Sequence, residues 1–576
     1  MANLNELGKV IETDVLVIGA GVAGLSSAIS AKETNSDLKV TIVDRRVVGK
    51  AGQAPKAGHG SLYLIPGVHD AETFVEDRVI RSGEYLNDQD LLRQMANNIN
   101  YTLEKAEEWG VQYAHNEDGT IQCLPVPVGP WACCALPLGI SETLRKKAVS
   151  MGVETYSRVQ IIDLVKDGDR IAAAIGVHVE SMAFYIFRAK SFIMATQACD
   201  FGGQQMFNGM GEGIAMAYYA GAEMRNCEFG VASDLVAKND GHPVYGSHMV
   251  ICNAEGENIS MKYAPNAYEV STDLLLGMEK EMEEGRGPLY ADLSVNTEQL
   301  KAIGFRSNPD DEPGMVDGIR RVWPDAIEFH EKIEVKSNQY RQIEDDPTKP
   351  LITAKLAPYL APIRVDMNYK TTLPNLWAAG AVTSMGSAWI GWCRGDGVSG
   401  VLRTGLFAGP DAARKAVGVE LGAVDPAAVE QVKAKFLAPM QNKGGPSPSE
   451  VLEEVIEIAF SSKYMLHRTE ENMKEGLAKL DELDKLADTI YADDGHSLYK
   501  CGQVKSVILS TKMMLTAGLM RKESRGGCWR HYRDDYPETD NKNWLKWIIV
   551  GYRDGEMKTW TEDVPIETYK YKPADM

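Results

Sequence analysis

Two residue types at a fixed spacing suggest the chain's chemistry: glycines that let backbone meet phosphate, and an acid that meets ribose. Gly19-Ala20-Gly21-Val22-Ala23-Gly24 follows the apolar run Val15 to Ile18 and leads into an Ala/Ser-rich stretch. In a strand–turn–helix unit the first glycine allows a tight turn, the second lets a pyrophosphate approach, and the third lets the helix pack on the strand. The N-terminal amides of the helix then face the phosphates. A second apolar run, Val40 to Val43, ends at Asp44, 20 residues after Gly24, where an acid accepts a ribose hydroxyl. Gly19, Gly21, Ala23, Gly24 and Asp44 are the first cofactor contacts this predicts. Arg45 and Arg46 come next; they suit a 2′-phosphate or a solvated strand end, and Arg45 joins the cofactor candidates on the first reading.

Strand, glycines, helix, strand and acid in that order would serve an NAD domain alone. This chain has three glycine-linked strand ends far apart, at 15–24, 192–203 and 376–400. That layout suits a longer cofactor crossing a sheet, with adenosine at the first turn and a flavin ring near the third, hence FAD. Ala195 and Thr196 at the second end, and Gly380, Ala381, Gly397, Val398 and Ser399 at the third, extend the predicted cofactor contacts.

The 576 residues suffice for two to four domains with ample core. A net charge of −20 argues against a nucleic acid partner, because phosphate binding needs a basic face. No apolar run of the length a membrane helix needs is present, and MANLNELGKVIETD lacks the basic and apolar regions of a signal peptide. A cytoplasmic protein without direct membrane insertion is the expectation. The nine cysteines are irregularly spaced with no Cys-x-x-Cys, which disfavours zinc or an iron–sulfur cluster in this chain and predicts mostly buried thiols, with Cys133-Cys134 as a redox alternative.

Spaced apolar positions predict helices over 86–110 and 139–152. Val159–Lys166, Arg170–His178 and Phe184–Phe187 alternate like meander strands, Phe192–Ala195 reads as a further buried strand, and a helix runs from Ile214 to Ala220. Residues 236–350 are rich in charge and turns and look inserted; 425–525 read as mostly helical, and 526–576 as an aromatic, polar tail.

Taken together, GAGVAG, the Ala195-Thr196 strand end, LPNLWAAG and the run Glu523 to Trp544 (ESRGG…RHYRDDYPETDNKNW) resemble the fumarate reductase/succinate dehydrogenase flavoprotein superfamily over nearly the whole chain. The ending WTEDVPIETY and the helical region before it resemble adenylylsulfate reductase alpha subunits most. The resemblance implies an α/β fold: a split Rossmann-like FAD-binding domain (1–235 and 351–424), an inserted α+β capping domain (236–350), and a C-terminal helical domain with tail (425–576). It implies electron transfer in anaerobic metabolism, partnership with a ferredoxin-like iron–sulfur subunit, and a hetero- or homo-oligomer. Covalent members tether flavin through a histidine where Gly52 stands, so dissociable, non-covalent FAD is implied, with Gly52 and Gly58 beside it. Ser233-Asp234-Leu235 replaces the His-Pro-Thr-Gly of fumarate-type members, and Thr272 or Asp273 stands where their proton-donating arginine belongs. The arginine and histidine of adenylylsulfate reductases have no counterparts near Leu235 or in KLAPYLAPIRVDMN at 355–368.

Arg394, in Gly391-Trp392-Cys393-Arg394-Gly395-Asp396-Gly397, matches the family's substrate-carboxylate arginine; an ion pair to an acid such as Asp396 is the plainer alternative. His59 lies in the loop that the resemblance puts under the flavin, and is a candidate proton donor. His242, Tyr245 and His248 cluster where the inserted segment begins and would close on substrate, or form a solvated turn. Arg364 is a candidate second cation. The expected function is that of an FAD-dependent oxidoreductase, fumarate reductase-like, acting on a small anionic substrate. The alternatives are a catalytic subunit like that of adenylylsulfate reductases, or an electron-transfer flavoprotein subunit without its own substrate.

Overall fold

A computed structural model describes residues 3–54, 60–125, 129–135, 139–202, 209–238, 247–265, 270–292, 349, 351–384, 396–527 and 530–576. Strand β1 (Lys9–Ile18) lies inside a seven-stranded sheet, with Val15, Leu16 and Val17 wholly buried, as befits a strand covered on both faces. β2 (Val40–Asp44) runs parallel to it, Val15 opposite Val40. β3 (Gly60–Tyr63), β4 (Cys123–Pro125) and β5 (Ala132–Ala135) form a separate antiparallel sheet with β5 in the middle.

β6 (Glu154–Ser157) pairs with β2, and β7 (Val159–Asp167), β8 (Arg170–His178) and β9 (Phe184–Met194) form a meander that returns β9 to β1. The sequence predicts two strands across 184–195, but β9 is one. Its first half pairs with β8, its second half with β15 (Leu376–Ala378), and its whole length with β1, so ladder partners run along it without a break. The helix expected over 86–110 is two, Gln89–Asn97 and Ile99–Glu108, parted at Asn98; that over 139–152 is Ile140–Ser150.

Helices Val22–Thr34 and Asp396–Ala416 pack at backbone distance. Ser26 Oγ donates to Leu402 O at 3.0 Å and Ser30 Oγ to Gly405 O at 2.8 Å. A Cβ on Gly405 would lie 2.0 Å from Ser26 Oγ, so no larger residue fits that crossing.

β10 (Met224–Arg225) and β11 (Val231–Ala237) follow the helix Glu212–Ala220, and β11 pairs antiparallel with β14 (Ile352–Pro358), bracketing 238–351. Between them β12 (Ile251–Cys252) pairs with β13 (Tyr290–Ala291). Here buried Glu281 accepts from Arg286, Lys262, Tyr263 and Asn253, contacts that hold its carboxyl well below the ordinary value.

The C-terminal region is helical from Pro426–Leu437 to Gly495–Met520. The tail then does what its composition did not announce. β16 (Lys546–Arg553) and β17 (Glu556–Asp563) make a hairpin, and β16 docks on β10. Arg225 stacks on Trp547, 4.6 Å from the ring centroid. Under the hairpin lies a buried charge cluster. Arg468, Arg521, Arg525 and Arg533 are fully buried, as are Glu228 and Glu523. Arg521 donates to Glu228 at 2.8 Å and to Glu523 at 2.8 Å.

Candidate cofactor and substrate site

Parallel strands β1, β9 and β15 end together, and ligands of such sheets sit beyond carboxyl ends. The three glycine-linked turns meet there as backbone against backbone. Gly19 has φ +108°, and a Cβ on it would stand 2.3 Å from Ala195 O; a Cβ on Gly24 would stand 1.9 Å from Gly19 O. Ala379 N–H donates to Met194 O at 2.9 Å, and a Cβ on Gly380 would press within 2.7 Å of Ala23 Cβ. Gly21 caps the helix N-terminus, with Gly52 against it; the ideal Cβ of Gly21 lies 3.7 Å from Gly52 Cα. Gly19, Gly21, Ala23, Gly24, Gly52, Ala195, Thr196, Gly380 and Ala381 are thus gathered at one edge.

Asp44 closes this edge. Its carboxylate accepts Ala20 N–H at 2.7 Å and Arg46 N–H at 2.6 Å. Burial raises its carboxyl above the ordinary value, opposed by those bonds and by Arg45 and Arg46. Arg45 donates to Glu212 at 2.7 Å, tying β2 to the helix Glu212–Ala220. Ser399 Oγ accepts Leu62 N–H at 3.1 Å, with Gly397 and Val398 in the turn before it.

Gln53 Nε2, Thr196 Oγ1 and Thr383 Oγ1 are buried without a hydrogen-bond partner among the described residues. Thr196 and Thr383 lie in the second and third glycine turns, and Gln53 follows Gly52, which abuts Gly21 of the first. Unpaired polar atoms along this line fit a long polar cofactor, since an unsatisfied buried donor or acceptor costs about 1–3 kcal/mol.

Gly58, His59, His242, Tyr245 and Arg394 lie outside the described residues, as do Trp389, Trp392 and Cys393. His248 is buried in the turn Ser247–Met249. Arg364 is placed otherwise than as a substrate cation. Its guanidinium grips Glu562 of β17 through two bonds, 2.9 and 2.7 Å, and Glu223 at 2.9 Å. A fork already spent on two carboxylates fastens the tail hairpin. His531 is a packing residue in the buried arginine cluster; Arg468 lies 2.7 Å from its Nδ1, and burial plus the cations hold its pKa well below the ordinary value.

Sequence reasoning missed Asp200 and Tyr359. Asp200 follows the β9 turn and accepts Gly209 N–H at 2.9 Å and Gln197 Nε2–H at 2.7 Å. Burial pushes its carboxyl up to about 7; burial, and then the Asp200 charge, raise the phenol of the partly buried Tyr359. A lone Asp after a Thr-Gln-Ala-Cys run carries no motif; only the fold buries it. Because the native pKa lies above the unfolded one, Asp200 stabilises most below about pH 4, and that contribution fades as pH rises to about 7. The Tm of wild type relative to Asp200→Asn should therefore fall by a few degrees over this window; paired thermal melts of the two proteins at both ends check it.

Among the described residues no helix is long and apolar enough to cross a membrane, and no cluster suits a metal ion. A family model described as FAD binding domain matches residues 14–399, and one described as fumarate reductase flavoprotein C-term matches 456–576. A fumarate reductase (CoM/CoB) subunit from Methanothermobacter marburgensis is 24% identical, covering 94% of this chain and 97% of its own. The Haemophilus influenzae fumarate reductase flavoprotein subunit is 23% identical, covering 98% and 96%. Among solved structures, an Escherichia coli quinol fumarate reductase variant aligns with TM-score 0.80 at 19% identity, covering 97% and 98%. Adenylylsulfate reductase from Archaeoglobus fulgidus aligns with TM-score 0.77 at 20% identity, covering 98% and 97%.

Proposed function

Because the chain belongs to the FAD-dependent oxidoreductases of the fumarate reductase/succinate dehydrogenase flavoprotein family, we propose that it reduces or dehydrogenates a small anionic, carboxylate-bearing substrate. Its electrons pass to or from a ferredoxin-like iron–sulfur subunit. The observation that carries this reading is the span of the likeness: relatives named fumarate reductase subunits align over 94% and 98% of this chain.

Bound FAD supplies hydride or electron-pair transfer at its isoalloxazine. The chain's residues do the rest. Amides of the Gly19–Gly24 turn and the helix N-terminus would hold the pyrophosphate. Asp44 would accept a ribose hydroxyl. Gly52, Gly58, Ala195 and Thr196 would line the cofactor's path, with Gly380, Ala381, Gly397, Val398 and Ser399 at its far end. With Gly52 where covalent members carry histidine, the cofactor stays dissociable.

Arg394 would grip a substrate carboxylate with two parallel N–H bonds. His59, His242, Tyr245 or His248 would carry the proton, from an imidazole nitrogen or a phenol oxygen. The segment between β11 and β14 would act as the cap that keeps water off the substrate.

The test is turnover of the purified holoenzyme with reduced viologen against a panel of enoates and against adenylylsulfate. Enoate-dependent viologen oxidation is expected. Release of AMP and sulfite would replace this reading with that of an adenylylsulfate reductase. Arg394→Gln should lower kcat/KM about thirtyfold, the loss of about 2 kcal/mol from a charge-assisted hydrogen bond. If photoreduced flavin of the variant reoxidises with every substrate as fast as wild type, an electron-transfer subunit without its own substrate is the better reading.

A further inference from the structure

The small sheet sets Cys123 of β4 directly opposite Cys134 of β5. Antiparallel partners alternate between hydrogen-bonded pairs and closer non-bonded pairs, whose Cα atoms lie about 5.5 and about 4.5 Å apart. The type of this pair follows from its neighbours. Leu62, opposite Cys133 on the other edge of β5, gives its N–H to Ser399 Oγ at 3.1 Å instead of to the ladder. Leu62–Cys133 is therefore a non-bonded pair, and by alternation Ser61–Cys134 is a bonded one. Cys134 turns its N–H and C=O toward β3, which leaves Cys134–Cys123 non-bonded on the β4 edge. Pro125 agrees with this phase: it lies opposite Ala132, two positions from Cys123, and has no N–H to give.

Cysteines so paired point to the same face of the sheet at about 4.5 Å between Cα atoms, inside the span of about 4.4–6.8 Å that a disulfide bridges. Cys133, the next residue of β5, points to the other face. The vicinal pair that the sequence offered is thus split by the pleat, and the couple lies across the strands. Cys123 is half-buried and Cys134 fully buried, so a reagent meets Cys123 first.

We propose that Cys123 and Cys134 are a redox-active pair that closes a cross-strand disulfide when a small-molecule disulfide reaches Cys123. The Cys123 thiolate attacks one sulfur of the oxidant, breaking its S–S bond and releasing one thiolate, which takes up a proton. Cys134, its proton lost to solvent, then attacks Cys123 Sγ and expels the second thiolate. Two protein thiols are oxidised and one disulfide becomes two thiols. Burial pushes the Cys123 thiol up to about 11 and that of Cys134 higher still. Thiolate is therefore scarce near neutrality, and closure should quicken about tenfold per pH unit below 11.

The experiment incubates the holoenzyme with oxidised glutathione at about pH 7 and about pH 9, alkylates the remaining thiols and maps peptides after cleavage at Trp131. Loss of two thiols per chain in a Cys123–Cys134 link, faster at the higher pH, is expected. Cys133→Ser should leave the link intact, and Cys134→Ser should stop at glutathione held on Cys123. A Cys133–Cys134 link, a lasting glutathione adduct on wild-type Cys123, or a Cys123 still alkylatable after the alkaline incubation would each overturn the proposal. The wild-type map decides this whether or not the variants fold.

Discussion

Replacing Glu523 with glutamine is expected to cost about 3–5 kcal/mol of folding stability, the scale of removing one partner from a buried ion cluster. Glu523 Oε1 accepts from Arg521 at 2.8 Å and Arg525 at 2.7 Å; Oε2 accepts from Arg525 and from Asp540 N–H, both at 2.8 Å. Glutamine keeps the shape but presents an amide N–H₂ to guanidinium. Among the described residues, the ion pairs left to the four buried arginines would then be Arg521 with Glu228 and Arg533 with Asp535. Burial already raises the Glu228 carboxyl, with Arg521 opposing that rise. Urea unfolding followed by circular dichroism reads the result. A midpoint shift worth less than about 1 kcal/mol would mean that the arginines find other acceptors.

Gly24→Ala should yield a protein that purifies without flavin and unfolds more easily. The added Cβ meets Gly19 O at 1.9 Å and Gly19 C at 3.0 Å, backbone atoms that yield only if the turn itself moves. Overpacking of this kind costs about 1–3 kcal/mol, occasionally more, and here it displaces the amides meant for the pyrophosphate. The control is Gly502→Ala, inside the helix Gly495–Met520 with nothing within 4 Å of its Cβ. It should keep flavin and gain about 0.5–1 kcal/mol. Absorbance at flavin wavelengths in both variants separates a local clash from a general effect of the glycine-to-alanine change.

The glycine turn, β1, β2 and Asp44 are legible directly because the dinucleotide unit is local: its apolar runs, glycines and acid lie within 36 residues, 11–46. The sequence pattern divides β9 because Arg188 and Lys190 interrupt its apolar run. In the fold both project to partly open positions, pairing with Glu12 and Asp14 of β1. The role of Arg364 depends on Glu562, 198 residues later, and no periodicity links them. Asp200 and the arginine cluster are hidden for a related reason: burial of a charge is a property of the assembled layers. The tail's alternation of aromatic and charged residues is in view, but a strand needs an edge to pair with, and that edge, Met224–Arg225, is two residues long.

That short edge has a consequence for biosynthesis. Met224 and Arg225 take their ladder partners from Val550 and Ile549. At ribosomal rates of about 5–20 residues per second, the wait between the two is on the order of tens of seconds. A nascent chain passes that interval with Arg225 lacking its indole platform and the Arg364 guanidinium lacking Glu562. Premature stop codons upstream of residue 546 would therefore release polypeptides with the Met224–Arg225 edge unpaired and uncovered, a natural handle for chaperones and proteases.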